Sequence, residues 1–572
     1  MKRYWEILKK YRLTLLVSPF LVLIAVFSEV VQPYFMSQII DDGVMVGNVA
    51  LLARIGVMMV VISIAGMLAN VVNARVSSQA ATGFGTGLRS ILFRHIQSLS
   101  FADMDTFGSA SLITRLTNDI TKIQQVILLS MRIMLRAPMM LIMALFFMLR
   151  INAELAVILL FAIPLLAVGA WLILKKGLPF FRKVQQRIDA LNRIVRENLI
   201  NIRVVKSFVR EDFEAQKFAL GSEALRDTVI RAANTIVSVF PLMQLILNLS
   251  IVAILWFGGI KVMNGNLKVG ELISFVNYLT QVLIALMMLS MVIMTIARAS
   301  ASSQRIIEVL NTEPSLKERC AENSPQIERG DVCFNAVSFR YAGGETDVLH
   351  DVTFSVRAGE TIAVVGATGS AKSSMVQLIP RLYDATGGEV LIDGVKVQDY
   401  SLEELHNKIG MVLQQNDLFS GTILDNLRWG DQNATREAME AAARTAEAHD
   451  FIMSFQKDYE TVLGRGGVNI SGGQKQRICM ARALLRSPKI LILDDSTSAV
   501  DSETELRIRQ NFKQLPGNMT IFIITQRINT MQSSDRIVVL DDGRIDAVGT
   551  PEEVMHSSAI YREIYRSQQF TQ

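Results

Sequence analysis

Six long apolar segments, all in the first half of a 572-residue chain, constrain its fold more than any other feature. Each is long enough to cross a bilayer, which takes about 20 residues of α-helix. Only 19% of the residues are charged, fewer than in most soluble domains, so a soluble enzyme is excluded. The segments run over roughly 13–40, 51–73, 126–150, 153–175, 236–263 and 270–297.

Basic residues indicate how these segments are oriented. Lys and Arg cluster at the N-terminus and in two segments of about 50–60 residues, after the second and the fourth span. Because such clusters stay on the cytoplasmic side, both termini are predicted to be cytoplasmic. The two segments are predicted to be helices that extend the spans into the cytoplasm, with Phe101–Gly108 and Arg203–Asp212 as candidate docking points.

The pattern changes after residue 312. A linker is expected over 313–326, and from 327 to 572 short β-rich runs alternate with helical stretches. This alternation is typical of a parallel α/β core. The predicted fold is therefore an all-α six-helix transmembrane domain over 1–312, with long cytoplasmic helical extensions, followed by an α/β domain.

A P-loop marks the α/β part as a P-loop NTPase domain. The strand-like run Thr361–Val365 leads into a loop rich in Gly and Ser and then into a helix, which is the setting the motif requires. Backbone N–H groups of such a loop attract phosphates, Lys372 would reach the β- and γ-phosphates, and Ser373 would bind Mg²⁺. Ala371 stands where the motif has Gly, which is acceptable if this residue is already helical. The candidate nucleotide-binding residues are Gly366, Thr368, Gly369, Ser370, Ala371, Lys372, Ser373 and Ser374.

Two further motifs belong with the P-loop. The apolar run Ile490–Leu493 ends in Asp494 and Asp495, and a buried strand that ends in Asp is how such sites supply a second Mg²⁺ contact. Upstream, Ser471-Gly-Gly-Gln474 is followed by Lys-Gln-Arg. With this S-G-G-Q-x-Q-R run, the chain resembles a half-transporter of the ATP-binding cassette superfamily, exporter type, whose signature motif it is.

The resemblance implies roles for further residues. It places Tyr341 where an aromatic ring stacks on adenine, and Gln414 in the loop that contacts Mg²⁺ and the transmembrane part. It implies that Ser471, Gly472, Gly473 and Gln474 grip the γ-phosphate of a nucleotide held by a second subunit, and that Asp501 lies in the loop linking the two sites. It also implies ATP and Mg²⁺ as cofactors, hydrolysis coupled to transport, a cytoplasmic cassette and a bacterial inner membrane.

Two positions depart from the family pattern at the catalytic centre. Asp495 replaces the usual Glu, and Gln526 replaces the usual His of the switch loop. Asp is one methylene shorter, and a misplacement of about 1 Å can cost about 10² in rate. Gln526 can donate a neutral hydrogen bond but cannot become cationic. With Ala371 as a third departure, these two positions predict a degenerate site that binds ATP and hydrolyses it slowly. Gln414 is the remaining candidate catalytic residue.

The signature motif, in contrast, is intact. We therefore expect a heterodimer, in which the signature of this chain completes the competent site of a second half-transporter. The alternatives are a regulatory ATP-sensing subunit of a membrane assembly and a slow homodimeric exporter. By resemblance the cargo is amphipathic, a drug or a lipid, and no nucleic-acid partner is expected. Glu29 lies at membrane depth. It is expected either to contact a cationic substrate or a proton, or to form a hydrogen bond with a neighbouring helix. Arg132 and Arg136 are expected near the inner interface.

Overall fold

The computed structural model describes residues 2–237, 239–316, 325–515 and 517–569, without most side chains of 159–182, 235–243 and 290–298. The chain forms two compact units. The first comprises Met1–Gln97 and Ala110–Thr312, and the second comprises Ser98–Ser109 and Glu313–Gln572. The predicted linker falls in part on 317–324, which lie outside the described residues.

The described residues of the first unit are helical apart from short turns. Three π-helical turns, Ile39–Val44, Arg115–Asp119 and Ser130–Met134, interrupt or extend its helices. The helices up to residue 311 are α1 (Lys2–Lys9), α2 (Arg12–Gln38), α3 (Val49–Gln97), α4 (Phe101–Phe107, in the second unit), α5 (Ser109–Thr114), α6 (Ile120–Leu129), α7 (Arg136–Ile151), α8 (Ala153–Ile200), α9 (Ile202–Ser207), α10 (Glu211–Val237), α11 (Val239–Met263) and α12 (Val269–Asn311).

Five stretches of the described residues are long and apolar enough to cross a membrane. The fourth predicted span, 153–175, lies in α8, where a shorter apolar stretch covers Ala153–Leu165 and most of the following side chains are not described. The predicted helical membrane part is therefore confirmed, while the count of six spans stays a prediction. The five stretches are Arg12–Val44, Val49–Gln97, Ser109–Ile151, Gln244–Met263 and Val269–Leu289.

The long helical extensions are confirmed as helices. The helix α3 has 49 residues and α8 has 48, which corresponds to about 70 Å each and exceeds the thickness of a bilayer. The connection between α2 and α3 is partly helical, because the π-helical turn Ile39–Val44 continues α2. The carboxylate of Asp41 there accepts from the backbone N–H of Gly270 at 2.6 Å, at the start of α12.

Glu29 bonds a neighbouring helix, which is one of the two expectations for it. Its carboxylate forms an ion pair with Arg136 of α7, and the same guanidinium lies 3.5 Å from the side-chain oxygen of Asn70. The pair therefore joins α2 to α7, while the position of Arg136 near the inner interface stays a prediction. Pairing is expected because an isolated charge is costly in a low-dielectric environment.

The second unit contains the β-structure. Its strands are β1 (Val332–Phe339), β2 (Leu349–Val356), β3 (Thr361–Gly366), β4 (Gly387–Ile392), β5 (Val395–Lys396), β6 (Ile409–Val412), β7 (Gly421–Thr422), β8 (Val462–Leu463), β9 (Ile490–Asp494), β10 (Thr520–Ile524), β11 (Arg536–Asp541) and β12 (Arg544–Gly549). They form an antiparallel sheet β2-β1-β4-β5, a six-stranded sheet β12-β11-β3-β10-β9-β6 and the pair β7-β8. The predicted α/β class is confirmed.

The six-stranded sheet is parallel except for its edge strand β12. The central strands β9 and β10 are buried at every residue, as expected where helices cover both faces. The helices of this unit after residue 371 are α13 (Lys372–Gln377), α14 (Leu402–Lys408), α15 (Ile423–Arg428), α16 (Arg436–Thr445), α17 (His449–Met453), α18 (Gly472–Leu484), α19 (Ser502–Lys513), α20 (Ile528–Gln532), α21 (Pro551–Ser557) and α22 (Ala559–Gln569).

Candidate functional site

The candidate residues meet at the carboxyl edge of the six-stranded sheet. Ile524, at the end of β10, lies opposite both Val364 of β3 and Asp494 of β9. Val412, at the end of β6, lies opposite Leu493. Because parallel strands end at one edge, the P-loop, the two carboxylates, Gln526 and Gln414 all follow from this edge, where open α/β sheets bind ligands.

The P-loop closes around the ammonium group of Lys372. Its Nζ donates to the carbonyl oxygens of Gly366 at 3.0 Å and Ala367 at 2.7 Å, and lies 3.2 Å from the hydroxyl of Ser370. Burial lowers the pKa of Lys372, and the nearby carboxylates of the site partly oppose this shift. Gly366 cannot be replaced without a rearrangement, because an added Cβ would lie 2.2 Å from the carbonyl oxygen of Leu540.

An alanine at position 371 is acceptable if the residue is already helical, and the structure does not meet this condition. Ala371 precedes α13 in the left-handed region, with φ of +68° and ψ of +21°, and is therefore not in the right-handed helix. An L-residue there is strained by roughly 1–2 kcal/mol, whereas Gly adopts this conformation freely. The departure from the motif therefore strains the backbone of the phosphate loop, in addition to placing a methyl group there.

The two carboxylates differ in their surroundings. Asp494 is 2% exposed and its Oδ1 accepts from the hydroxyl of Ser373 at 2.9 Å, so the two predicted Mg²⁺ ligands touch. Burial raises the pKa of Asp494, and so does the neighbouring charge of Asp495, while the Ser373 hydroxyl and Lys372 oppose the shift. Burial also raises the pKa of Asp495, which the positive charges of Arg527 and Lys372 partly offset.

Asp495 is held at the strand end with φ of +46°, a conformation that Asp tolerates better than most residues. Its backbone N–H donates to the carbonyl of Ile524 at 3.2 Å, next to the switch loop. Arg527, which the sequence did not single out, lies beside Gln526 and forms an ion pair with the buried Glu505 at 2.5 Å. No sequence motif distinguishes this arginine, which brings positive charge near Asp495.

Tyr341 lies against the first turn of the P-loop helix. Its hydroxyl is 2.8 Å from the hydroxyl of Ser374, and its ring packs edge-on against Tyr383 with centroids 5.3 Å apart. The hydroxyl of Tyr383 donates to the carboxylate of Asp105 in α4 at 2.7 Å. The predicted docking point Phe101–Gly108 therefore belongs to the cassette unit, through a tyrosine that no motif identified.

The signature residues begin α18. Ser471 caps this helix: its hydroxyl accepts from the N–H of Gln474 at 3.2 Å, while the Gln474 side chain accepts from the N–H of Ser471 at 2.9 Å. Gly473 packs so closely on the 498–501 loop that an added Cβ would lie 2.5 Å from the carbonyl oxygen of Ala499. Asp501, in that loop, caps α19 through the N–H of Thr504.

The signature and the P-loop are not joined within one chain. Among the residues that the structure describes, none of the hydrogen bonds of 471–474 goes to 366–374. The described side chains of Arg203–Asp212, the second predicted docking point, include exposed apolar ones, with Phe208 72% and Val209 80% exposed.

The donor set fits ATP with Mg²⁺. A lysine ammonium and the backbone of a wrapped loop suit phosphate oxygens, and a hydroxyl touching a carboxylate is a pair of hard oxygen ligands. Thr368 and Gly369 are exposed, so this part of the loop is accessible to a ligand. When bound, Mg²⁺ would neutralise charge on the phosphates, held by Ser373 and Asp494.

Comparisons with known proteins agree with this geometry. Residues 15–287 match the family described as ABC transporter transmembrane region, and residues 349–498 match the family described as ABC transporter. The chain is 39% identical to the uncharacterized ABC transporter ATP-binding protein YfiB of Bacillus subtilis, covering 99% of this chain and 98% of the relative. Two similar proteins have functional names.

The putative multidrug export ATP-binding/permease protein YgaD of Bacillus subtilis is 31% identical, with 99% of each chain covered. The ATP-dependent lipid A-core flippase of Desulfotalea psychrophila is 30% identical, also with 99% of each chain covered. The solved structure of a bacterial Atm1-family ABC exporter with ATP bound superposes with a TM-score of 0.82 at 25% identity, covering 97% of this chain and 98% of that one.

Proposed function

Since the chain belongs to the ABC transporters of exporter type, in which a transmembrane region and an ATP-binding domain are fused, we propose that it is the degenerate-site subunit of a heterodimeric exporter. An ABC ATPase of this type couples ATP hydrolysis to transport. The proposal adds that this chain binds ATP at its own P-loop and hydrolyses it slowly, while its signature motif completes the faster site of a partner.

The observation that carries the proposal is which residues occupy the catalytic positions at the carboxyl edge of the six-stranded sheet. Three positions there differ from a family consensus: Ala371 in the P-loop, Asp495 after the Mg²⁺ carboxylate and Gln526 in the switch loop. The phosphate-binding elements Lys372 and Ser373 keep the identities and contacts that binding needs. Binding is therefore supported by intact residues, while water activation depends on the altered ones.

The carboxylate of Asp495 and the amide of Gln526 would promote ATP hydrolysis less well than the Glu and His usual in the family. Asp495 ends about 1.5 Å or less short of a Glu carboxylate, and general-base positioning contributes on the order of 10²–10⁴ in rate. Because Asp keeps the carboxylate of Glu but is one methylene shorter, the loss arises from reach. Gln526 offers a neutral donor where a charged one would better stabilise the transferring phosphate.

A second subunit is proposed because the signature is complete, while none of the hydrogen bonds that the described residues 471–474 form reaches the P-loop of the same chain. Ser471 and Gln474 are rigidly capped, and Gly473 and the 498–501 loop are closely packed. If the partner carries Glu and His at the matching positions, one site of the pair is competent and the other binds ATP without rapid turnover.

The cargo is proposed to be amphipathic, a drug or a lipid, because the named relatives are a putative multidrug exporter and a lipid A-core flippase. We also propose six spans with both termini and the cassette in the cytoplasm, in a bacterial inner membrane. The proposed domain limits are 1–312 for the transmembrane domain, 313–326 for the linker and 327–572 for the cassette.

The proposal is tested with the complex of this chain and the second half-transporter, purified together by a tag on this chain. Its ATPase activity, and ATP-dependent uptake of an amphipathic dye into inverted vesicles, are measured for two matched variants. Asp495→Asn in this chain should change both by less than about twofold, whereas Glu→Gln at the equivalent position of the partner should abolish them. Equal losses would contradict a degenerate site, and ATP binding without stimulated turnover or uptake would favour the ATP-sensing alternative.

A further inference from the structure

A groove in the first unit lies apart from every residue assigned above. It runs between α1 and the cytoplasmic part of α3 and encloses about 830 Å³. Its floor is made by close packing of the two helices, since Ile7 and Tyr11 lie against Gly87 and Gly83. Its polar lining includes Lys10, Ser78, Gln79, Thr82 and Arg94.

The groove is positively charged. Two of its lining residues, Lys10 and Arg94, are cations, and within the described part of the chain its lining includes no carboxylate. Neither cation forms an ion pair with a described residue, although several other Lys and Arg side chains do. A third cation approaches the upper end, where Arg132 donates to the hydroxyl of Ser78 at 3.0 Å.

The position of the groove in the chain indicates what it faces. The first twelve residues contain five Lys or Arg, and Trp5 is 59% exposed on α1. Immediately afterwards α2 exposes Leu13, Leu16 and Phe20, each by more than 60%. An exposed apolar surface that gives way to cations and an exposed indole is typical of the headgroup layer on the cytoplasmic side.

We propose that this groove binds the headgroup of an anionic phospholipid of the cytoplasmic leaflet. Lys10 and Arg94 supply charge for the phosphate, and Gln79 and Thr82 supply hydrogen bonds for the remaining polar atoms of the headgroup. The acyl chains lie on the apolar surface that begins at Leu13. Basic pockets beside membrane helices on this side recognise such headgroups, and each Lys or Arg near the surface strengthens the attraction.

The test measures lipid retention and does not involve ATP, so its failure is distinguishable from failure of the proposed function. The full-length protein in detergent is incubated with phosphatidylglycerol or phosphatidylcholine of identical acyl chains, and retained lipid is counted by native mass spectrometry. We expect preferential retention of phosphatidylglycerol, and a loss of about fivefold per cation in Lys10→Gln and Arg94→Gln. Equal retention of the two lipids would overturn the proposal.

A matched control separates the groove from general surface charge. Lys9→Gln and Arg75→Gln remove exposed cations from the same two helices but outside the lining, and they should retain phosphatidylglycerol like the wild type. If they lose as much as the groove variants, the attraction is not specific. Thr86→Trp fills the groove without changing its charge and should also release the lipid, whereas full retention would contradict binding within it.

Two other occupants give distinct results. If millimolar inorganic phosphate displaces phosphatidylglycerol completely, the groove is a phosphate site and the lipid proposal fails. If the groove variants lower the fraction of paired subunits in lipid-free detergent while lipid retention is unchanged, the groove is a protein interface instead. With the lipid bound as proposed, neither result is observed.

Discussion

Single residues at the ATP site determine how the chain treats phosphate. Lys372 and Ser373 make contacts that suit a bound nucleotide, while under the proposed function Ala371, Asp495 and Gln526 alter the backbone, the base and the switch position. The three alterations act in different ways. Ala371 strains the backbone of the loop, Asp495 shortens the reach of the carboxylate, and Gln526 cannot carry a positive charge. Each can therefore be reversed by a different substitution.

Ala371→Gly should stabilise the protein. Gly removes the strain of a left-handed L-residue, which outweighs the entropy that Gly loses on folding, for a net gain of about 1 kcal/mol. The measurement is the thermal unfolding midpoint of the full-length protein without nucleotide. Ala367→Gly, in the same loop at a residue without positive φ, is the matched control and should not raise the midpoint. A lower midpoint for Ala371→Gly would contradict the strain.

Asp494→Asn should stabilise the nucleotide-free protein at neutral pH. Burial raises the pKa of Asp494 in the folded state above that of an unfolded Asp, which is about 4. The contribution of this group to folding stability therefore falls as pH rises from the unfolded pKa to the folded pKa. The variant lacks that loss, so its unfolding midpoint should exceed the wild type at pH 7 and match it near pH 4. Its affinity for MgATP should fall, since a carboxylate ligand is removed.

Asp501→Asn is the control of opposite sign. Its backbone hydrogen bond from Thr504 lowers the pKa of Asp501, so this carboxylate stabilises the fold above about pH 4 and loses that effect as pH falls. The variant should therefore be less stable than the wild type at pH 7. Identical pH profiles for the two variants would show that these carboxylates do not set the dependence.

Among the elements, α18 and the 498–501 loop form the surface that, under the proposed function, would face the nucleotide of a partner. Besides the contact at Gly473, the side chain of Gln476 accepts from the N–H of Ala499 at 3.1 Å and lies 3.3 Å from the hydroxyl of Ser498. The signature helix and the loop that leads back to Asp495 are thus one packed unit. A substitution in the signature helix should therefore disturb the 498–501 loop, and a substitution in the loop should disturb the signature helix.

Gly473→Ala should disturb this unit. The added methyl would meet the carbonyl oxygen of Ala499 at 2.5 Å, and overpacking of this kind costs about 1–3 kcal/mol. We expect a lower unfolding midpoint and a loss of ATPase activity in the complex, with ATP binding to the P-loop of this chain retained. Gly472→Ala, whose methyl would lie 3.4 Å from the Ala499 side chain, should leave the midpoint unchanged.

Elements with strong local signals could be predicted from the sequence. The strand Ile490–Asp494 and the loop from Gly366 follow from apolar runs and glycine spacing, and both are where they were expected. The partnership of Glu29 with Arg136 could not be foreseen, since the two residues are 107 positions apart and only packing brings them together. The left-handed conformation of Ala371 could not be predicted either, because the sequence alone does not distinguish a left-handed residue before a helix from the first residue of that helix.

At the scale of the whole molecule, a helical membrane part and an α/β cassette are joined in one chain. Helices longer than a bilayer is thick carry the chain out of the membrane, and the segment Ser98–Ser109 is counted with the cassette unit. Tyr383 donates to Asp105 of that segment and packs against Tyr341, so it links the predicted docking point to the residue expected to stack on adenine. The membrane topology follows from the spans and is separately testable.

Single cysteines should report the topology, in a background where Cys320, Cys333 and Cys479 are replaced by Ser. Gly47→Cys and Gly265→Cys lie in turns on the predicted outer side, and Val209→Cys lies at the tip of a predicted cytoplasmic extension. An impermeant maleimide should label the first two in right-side-out vesicles and the third only in inverted ones. The opposite pattern would contradict the cytoplasmic orientation of the termini. Labels at Gly47 and Gly265 on different sides would contradict the even number of spans predicted between them.

The most direct test of the central claim is ATP turnover by this chain purified alone in nanodiscs, wild type against Asp495→Glu/Gln526→His. A pair of such chains contains intact signatures, so only the altered catalytic positions limit it. The account predicts comparable ATP affinity in both proteins and a turnover about 10²-fold higher in the double variant. A wild-type chain that already hydrolyses ATP as fast as the double variant would contradict a degenerate site.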